Sequence, residues 1–173
     1  AEPCGSACAG GAGSMNEGPP PDFSADDENC GRPNHDCLGG ECVNGVCQPV
    51  LLASGPSLHP TALAVAGELV WWASPVSRVS KAGGVAETVA SSSDDVWGIA
   101  VDADAVYWAS PFGKLRRFDR RTYAIQEVAL RGYRLALDDA FVYLVWEGVW
   151  RIPKTLGAGF PLAPSGGQGI ALD

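Results

Sequence analysis

Residues 98–110 read GIAVDADAVYWAS, and the chain writes that stretch three times and begins it a fourth. The pattern stands at 61–74 as TALAVAGELVWWAS and at 134–146 as RLALDDAFVYLVW, and it restarts at 169–173 as GIALD. Val65, Val101, Leu137 and Leu172 hold one position in it, spaced by 36, 36 and 35 residues. A fixed period of this length marks a repeat architecture, in which each unit is one supersecondary motif that buries its apolar face against its neighbours.

Each unit divides into four short runs, β-branched and aromatic, with turn residues between them. In the second unit these are 97–103, 105–110, 114–120 and 124–130. Strands of this length with no helical period give an all-β fold. The later runs repeat as well: Arg78-Val79, Arg117-Phe118 and Arg151-Ile152 are equivalent, and Lys81, Arg120 and Lys154 follow each by two positions. Four antiparallel strands per unit of about 36 residues is the arithmetic of a β-propeller blade. The expected blades are 61–91, 97–130 and 133–165. An orphan fourth strand is expected at 49–54, where Leu52-Ala53 matches Val89-Ala90, and the start of a fourth blade at 169–173. This is an incomplete arc, to be closed by further chain or by another subunit. The chain opens on AEPC and stops inside a repeat, so a longer secreted protein with its leader removed is expected.

Sequence character changes near position 48. All six cysteines (Cys4, Cys8, Cys30, Cys37, Cys42 and Cys47) lie in 1–48, with eight acidic residues against Arg32 alone, and the rest of the chain is nearly balanced in charge. The net charge of −8 argues against a nucleic-acid partner, which needs a basic surface to displace counterions. Cysteines at these spacings read as a disulfide framework rather than as paired zinc ligands, which makes 1–48 a small disulfide module formed outside the cytosol. Six cysteines allow fifteen pairings, and the sequence does not choose among them. Residues 9–29 have a linker's composition, rich in Gly, Pro, Ser and acidic residues. The acidic run Asp26, Asp27 and Glu28 lacks the alternation of a calcium loop. Asn44-Gly45 between Val43 and Val46 predicts a tiny hairpin. No apolar run is long enough for a transmembrane helix.

The VYWAS stretch resembles the YWTD blades of lipoprotein-receptor propellers and, more loosely, NHL-type propellers. HDCLGGECVNGVCQPVLLASG followed by IAVDxxxVYW units is similar to secreted bacterial proteins that join a Cys-rich module to such a propeller. The resemblance spans 30–173 and implies a propeller fold with an extracellular or cell-surface location. The Thr-Asp of YWTD is Ala73-Ser74 and Ala109-Ser110 here, so any contact made by that Asp is lost or moved. Asp102, Asp138 and Asp173 recur instead at the first turn of a unit, where a carboxylate accepts backbone N–H groups. Trp71, Trp72, Tyr107, Trp108 and Tyr143 fall at equivalent positions, which assigns them to packing between blades.

The functional expectation is a non-catalytic binding or scaffold protein, without cofactor or metal, that takes a protein or glycan partner. The second unit is longer between its second and third strands, and Pro111, Phe112, Gly113 and Lys114 are the expected partner-contact loop. The alternative is a metal-dependent lactonase- or lyase-like propeller. Such a site needs convergent acidic, Asn or His groups, and the repeat region offers His59 and no Asn. Arg116, Arg117, Arg120 and Arg121 would form an anion patch only if strand alternation did not split them between faces.

Overall fold

The computed structural model describes residues 22–55, 59–91, 95–165, 167 and 169–171. The chain forms two compact units, divided between Val50 and Leu51.

The first unit holds two short strands, β1 (Cys42–Val43) and β2 (Val46–Cys47), paired antiparallel. Asn44 and Gly45 both take positive φ, 52° and 75°, which is the two-residue turn this dipeptide favours. Disulfides Cys30–Cys42 and Cys37–Cys47 tie the hairpin to the preceding loop. Cys30, Cys37 and Cys47 bring their sulfurs together because these two bridges lie side by side. Backbone bonds complete the staple: Gly31 N–H donates to Phe23 C=O at 2.6 Å and Gly45 N–H to Ser24 C=O at 3.0 Å. Asp27 contributes a carboxylate oxygen to Cys42 N–H at 2.6 Å. His35 Nδ1 lies 2.6 Å from Cys30 C=O, so this histidine is engaged inside the loop. Cys4 and Cys8 lie outside the described residues.

The second unit is three four-stranded antiparallel sheets in repeats of about 36 residues. Sheet I is β3 (Leu63–Ala66), β4 (Leu69–Trp72), β5 (Val76–Ser80) and β6 (Glu87–Ala90). Sheet II is β7 (Gly98–Val101), β8 (Ala105–Ala109), β9 (Leu115–Asp119) and β10 (Ile125–Val128). Sheet III is β11 (Arg134–Leu137), β12 (Phe141–Val145), β13 (Val149–Pro153) and β14 (Phe160–Ala163). Strands pair in chain order in every sheet, and the first strands β3, β7 and β11 lie next to one another. Among the described residues there is no helix.

Sheets I and II enclose one core, with Trp71, Ala73 and Val76 on one side and Val106, Trp108 and Phe118 on the other. Sheets II and III enclose a second, in which Tyr107, Ala109 and Leu115 meet Val142, Leu144 and Ile152. Strand alternation dictates this division: the adjacent rings of Tyr107 and Trp108 point to opposite neighbours, and both are buried. The indole N–H groups of Trp71, Trp72 and Trp108 find no acceptor among the described residues, so these rings contribute as apolar bodies.

Two expected elements, whose strand partners would lie in a further blade, form no strand among the described residues. Positions 49–54, expected as an orphan strand, contain none. Leu52 C=O accepts from Gly84 N–H at 3.2 Å, which is one bond and not a ladder. Pro49 has no N–H to give, and an isolated segment gains strand stability only from a partner edge. Gly169, Ile170 and Ala171 lie outside any strand, and Leu172 and Asp173 are outside the described residues.

Candidate functional site

The described carboxylates at the first turn of sheets II and III are both engaged. Asp102 Oδ1 accepts the N–H groups of Asp104 (2.9 Å) and Ala105 (2.7 Å), while its Oδ2 pairs with Lys154 of sheet III at 2.9 Å. Burial pushes the Asp102 carboxyl up, but the Lys154 bond and the two N–H groups outweigh it, and the net shift is downward. Asp138 repeats the turn, accepting from Ala140 (2.8 Å) and Phe141 (2.6 Å). Its second oxygen takes the Tyr143 hydroxyl at 2.7 Å in place of a lysine, and that bond lowers the carboxyl and raises the phenol. Asp173 lies outside the described residues.

The arginines of β9 and its following turn do not form a patch. Arg116 bonds Glu127 at 3.3 Å, and Arg117 bonds Asp119 at 3.1 Å and Gln126 at 3.4 Å. Arg120 donates to the carbonyls of Asp102 (2.6 Å) and Ala103 (3.1 Å), and Arg121 pairs with Asp104 at 2.7 Å. Each guanidinium is engaged within its own sheet, Arg120 also lying over the Trp71 ring of sheet I at 5.5 Å, and among the described residues these four form no convergent anion cradle.

The second-to-third-strand connections gather the remaining features. Register puts Trp72 opposite Ser77, Leu144 opposite Trp150, and Trp108 opposite Arg116, so the sheet II connection is the longest. In it Pro111 is buried and Phe112 is 72% exposed. Phe112 N–H donates to Ser110 Oγ at 3.1 Å, and Ser110 C=O accepts from Gly132 N–H at 3.1 Å. Lys114 at the end of the loop pairs with Glu127 on β10. A loop so anchored at both ends presents one large apolar ring to solvent.

Sequence reasoning missed a second feature. An open cleft of about 410 Å³ is lined by Leu130, Arg131, Trp146, Glu147 and Trp150, with Leu144 at its base. Trp146 meets the Tyr133 ring edge-on at 5.9 Å. These two tryptophans break the repeat: Ser74 and Ser110 stand where Trp146 does, and Ser77 and Arg116 where Trp150 does. Residues that every unit shares serve the architecture, so departures at a shared phase are the signal that would have found this cleft. Tyr, Trp and Arg at the rim of a concavity are the groups that carry most binding energy.

No helix of the described residues is long and apolar enough to cross a membrane. The two disulfides point to formation in an oxidising environment. No protein-family model matches this chain, and no curated protein matches it.

Proposed function

We propose that this protein is a non-catalytic binding or scaffold protein of the cell surface or extracellular space, with propeller-type blades that carry partner-contact loops. The observation that carries the reading is the Trp146–Trp150 cleft, lined by aromatic residues that depart from the repeat, together with exposed Phe112 on the longest connection. Both sit on four-stranded antiparallel sheets, as binding loops usually sit on a scaffold of regular structure. The partner is a protein segment or a glycan, either of which gains from aromatic platforms flanked by Arg131 and Glu147. The engagement of Asp102, Asp119 and Asp138 in turn bonds also supports binding over hydrolysis, because a metal-dependent site needs carboxylates free to converge.

The test is a variant in which 110–114 is shortened to the sheet I connection, paired with Trp146→Ala, both screened against glycan arrays and cell-surface protein fractions. Retained circular dichroism with lost capture is expected. Unchanged capture by both variants would refute the reading, and lactone turnover abolished by EDTA would replace it with the enzyme alternative.

A further inference from the structure

Three tryptophans serve packing alone, and two do not. The indole N–H groups of Trp71, Trp72 and Trp108 are buried without an acceptor among the described residues. Trp146 and Trp150 are only half-buried, and their indole N–H groups are neither buried nor hydrogen-bonded there. Both rings line the cleft of about 410 Å³ whose base is the fully buried Leu144. Its walls come from two neighbouring sheets of this chain. Leu130 and Arg131 belong to the connection between β10 and β11, and Trp146, Glu147 and Trp150 to the hairpin of β12 and β13. The hairpin tip is tight: Trp146 N–H donates to Gly148 C=O at 3.0 Å, and Glu147 between them takes φ 48°, a left-handed conformation uncommon for such a side chain.

The charges at the rim are also free. Arg131 and Glu147 are exposed, and neither carries an ion pair or a side-chain hydrogen bond among the described residues. The arginines of β9 and its following turn, by contrast, are all engaged. The cleft therefore offers two aromatic surfaces, donors from two indoles and one guanidinium, and one carboxylate acceptor. One cation and one anion leave it without net charge.

On the reading that this cleft takes a partner, we propose that the partner is a neutral pyranose unit of a glycan. A pyranose ring has an apolar C–H face, which an indole ring covers, and a rim of hydroxyls that each donate and accept. Glu147 accepts from those hydroxyls, while Arg131 and the indole N–H groups donate to them. An acidic sugar would bring its own anion beside Glu147, and an amino sugar its ammonium beside Arg131, so the balanced pair selects against both. An apolar side chain of a peptide would use the rings and Leu144 but neither charge.

The test follows the indole N–H resonances of the isotope-labelled 173-residue chain as oligosaccharides are added. Neutral oligomers of glucose, galactose, mannose and xylose are the probes, with oligogalacturonate as the acidic comparison. Saturable shifts of the Trp146 and Trp150 resonances with a neutral probe are expected, with Trp71, Trp72 and Trp108 unmoved and oligogalacturonate binding more weakly. Trp146→Ala should abolish binding, and Arg131→Ala and Glu147→Ala should each weaken it by roughly tenfold or more, as loss of a bond to a charged group does. Glu147 is exposed, so its variant reports on binding even if loss of a ring disturbs sheet III. No shift of these two resonances with any neutral probe, tighter binding of oligogalacturonate, or an affinity indifferent to Glu147→Ala would each overturn the proposal. In that event, capture of a protein that still falls with Trp146→Ala would show that the glycan assignment alone fails, and unchanged capture that the binding reading fails with it.

Discussion

Asp102 and Asp138 make the same turn, yet only Asp102 also reaches the next sheet, and that difference predicts unequal costs. Asp102→Ala removes two N–H bonds and the Lys154 pair, and should destabilise the second unit by about 2 kcal/mol, since bonds to a charged group are worth roughly 1.5–3 each before partial compensation by water. Asp138→Ala, with no lysine to orphan, should cost visibly less in parallel urea melts. Asp119 is the most perturbed carboxylate: the N–H groups of Thr122 and Arg121 hold it at about 2, below the ordinary 3.8. A folded-state pKa below the unfolded value contributes stability that is present above pH 3.8 and disappears as pH falls towards 2. Asp102 and Asp138 are shifted the same way. Chemical melts should therefore show midpoints falling across that window, with a shallower fall in Asp119→Asn. Gly132 supplies the steric counterpart. A Cβ there would run into the buried Leu144 side chain, so Gly132→Ala should cost about 1–3 kcal/mol by overpacking the core between sheets II and III.

At the scale of elements, the repeat period alone defined three sheets of four strands, because spacing and alternation are written in every unit. The period also placed Trp71, Tyr107 and Trp108 in packing. It did not reveal that Tyr107 and Trp108 serve different interfaces, since alternation assigns faces only once the neighbouring sheets are known. The orphan strand expected at 49–54 rests on residue types alone, because Leu52-Ala53 matches a fourth strand but a strand is made by its partner edge, which similarity does not supply. The loop from Pro111 to Lys114 was legible as a difference in length. The Trp146–Trp150 cleft was not, because aromatic residues in a repeat rich in them pass for packing until each is set against its counterparts. Trp108→Ala should cost about 3–5 kcal/mol, as expected for a large ring removed from a closed core. Leu63→Ala, at an exposed position of β3, should cost under about 1 kcal/mol.

The whole molecule combines two ways of holding a β fold. Among the described residues the first unit has two strands of two residues each, and it rests on its disulfides, as small modules without a sufficient core do. The second has no cysteine and rests on apolar cores between sheets. Reduction should therefore unfold the first unit while leaving the second unit's melt unchanged, which tryptophan emission reports cleanly because all six tryptophans lie beyond position 70. The binding reading presupposes that neighbouring sheets stack through equivalent faces of one repeat. Methyl-to-aromatic NOEs in solution test that arrangement most directly. Cross-peaks from the Trp108 ring to the methyl groups of Ala73, Val76 and Ala90, and from the Tyr107 ring to those of Leu144 and Ile152, are the predicted result. Both rings contacting methyl groups of the same sheet, or neither contacting a neighbouring sheet, would contradict it.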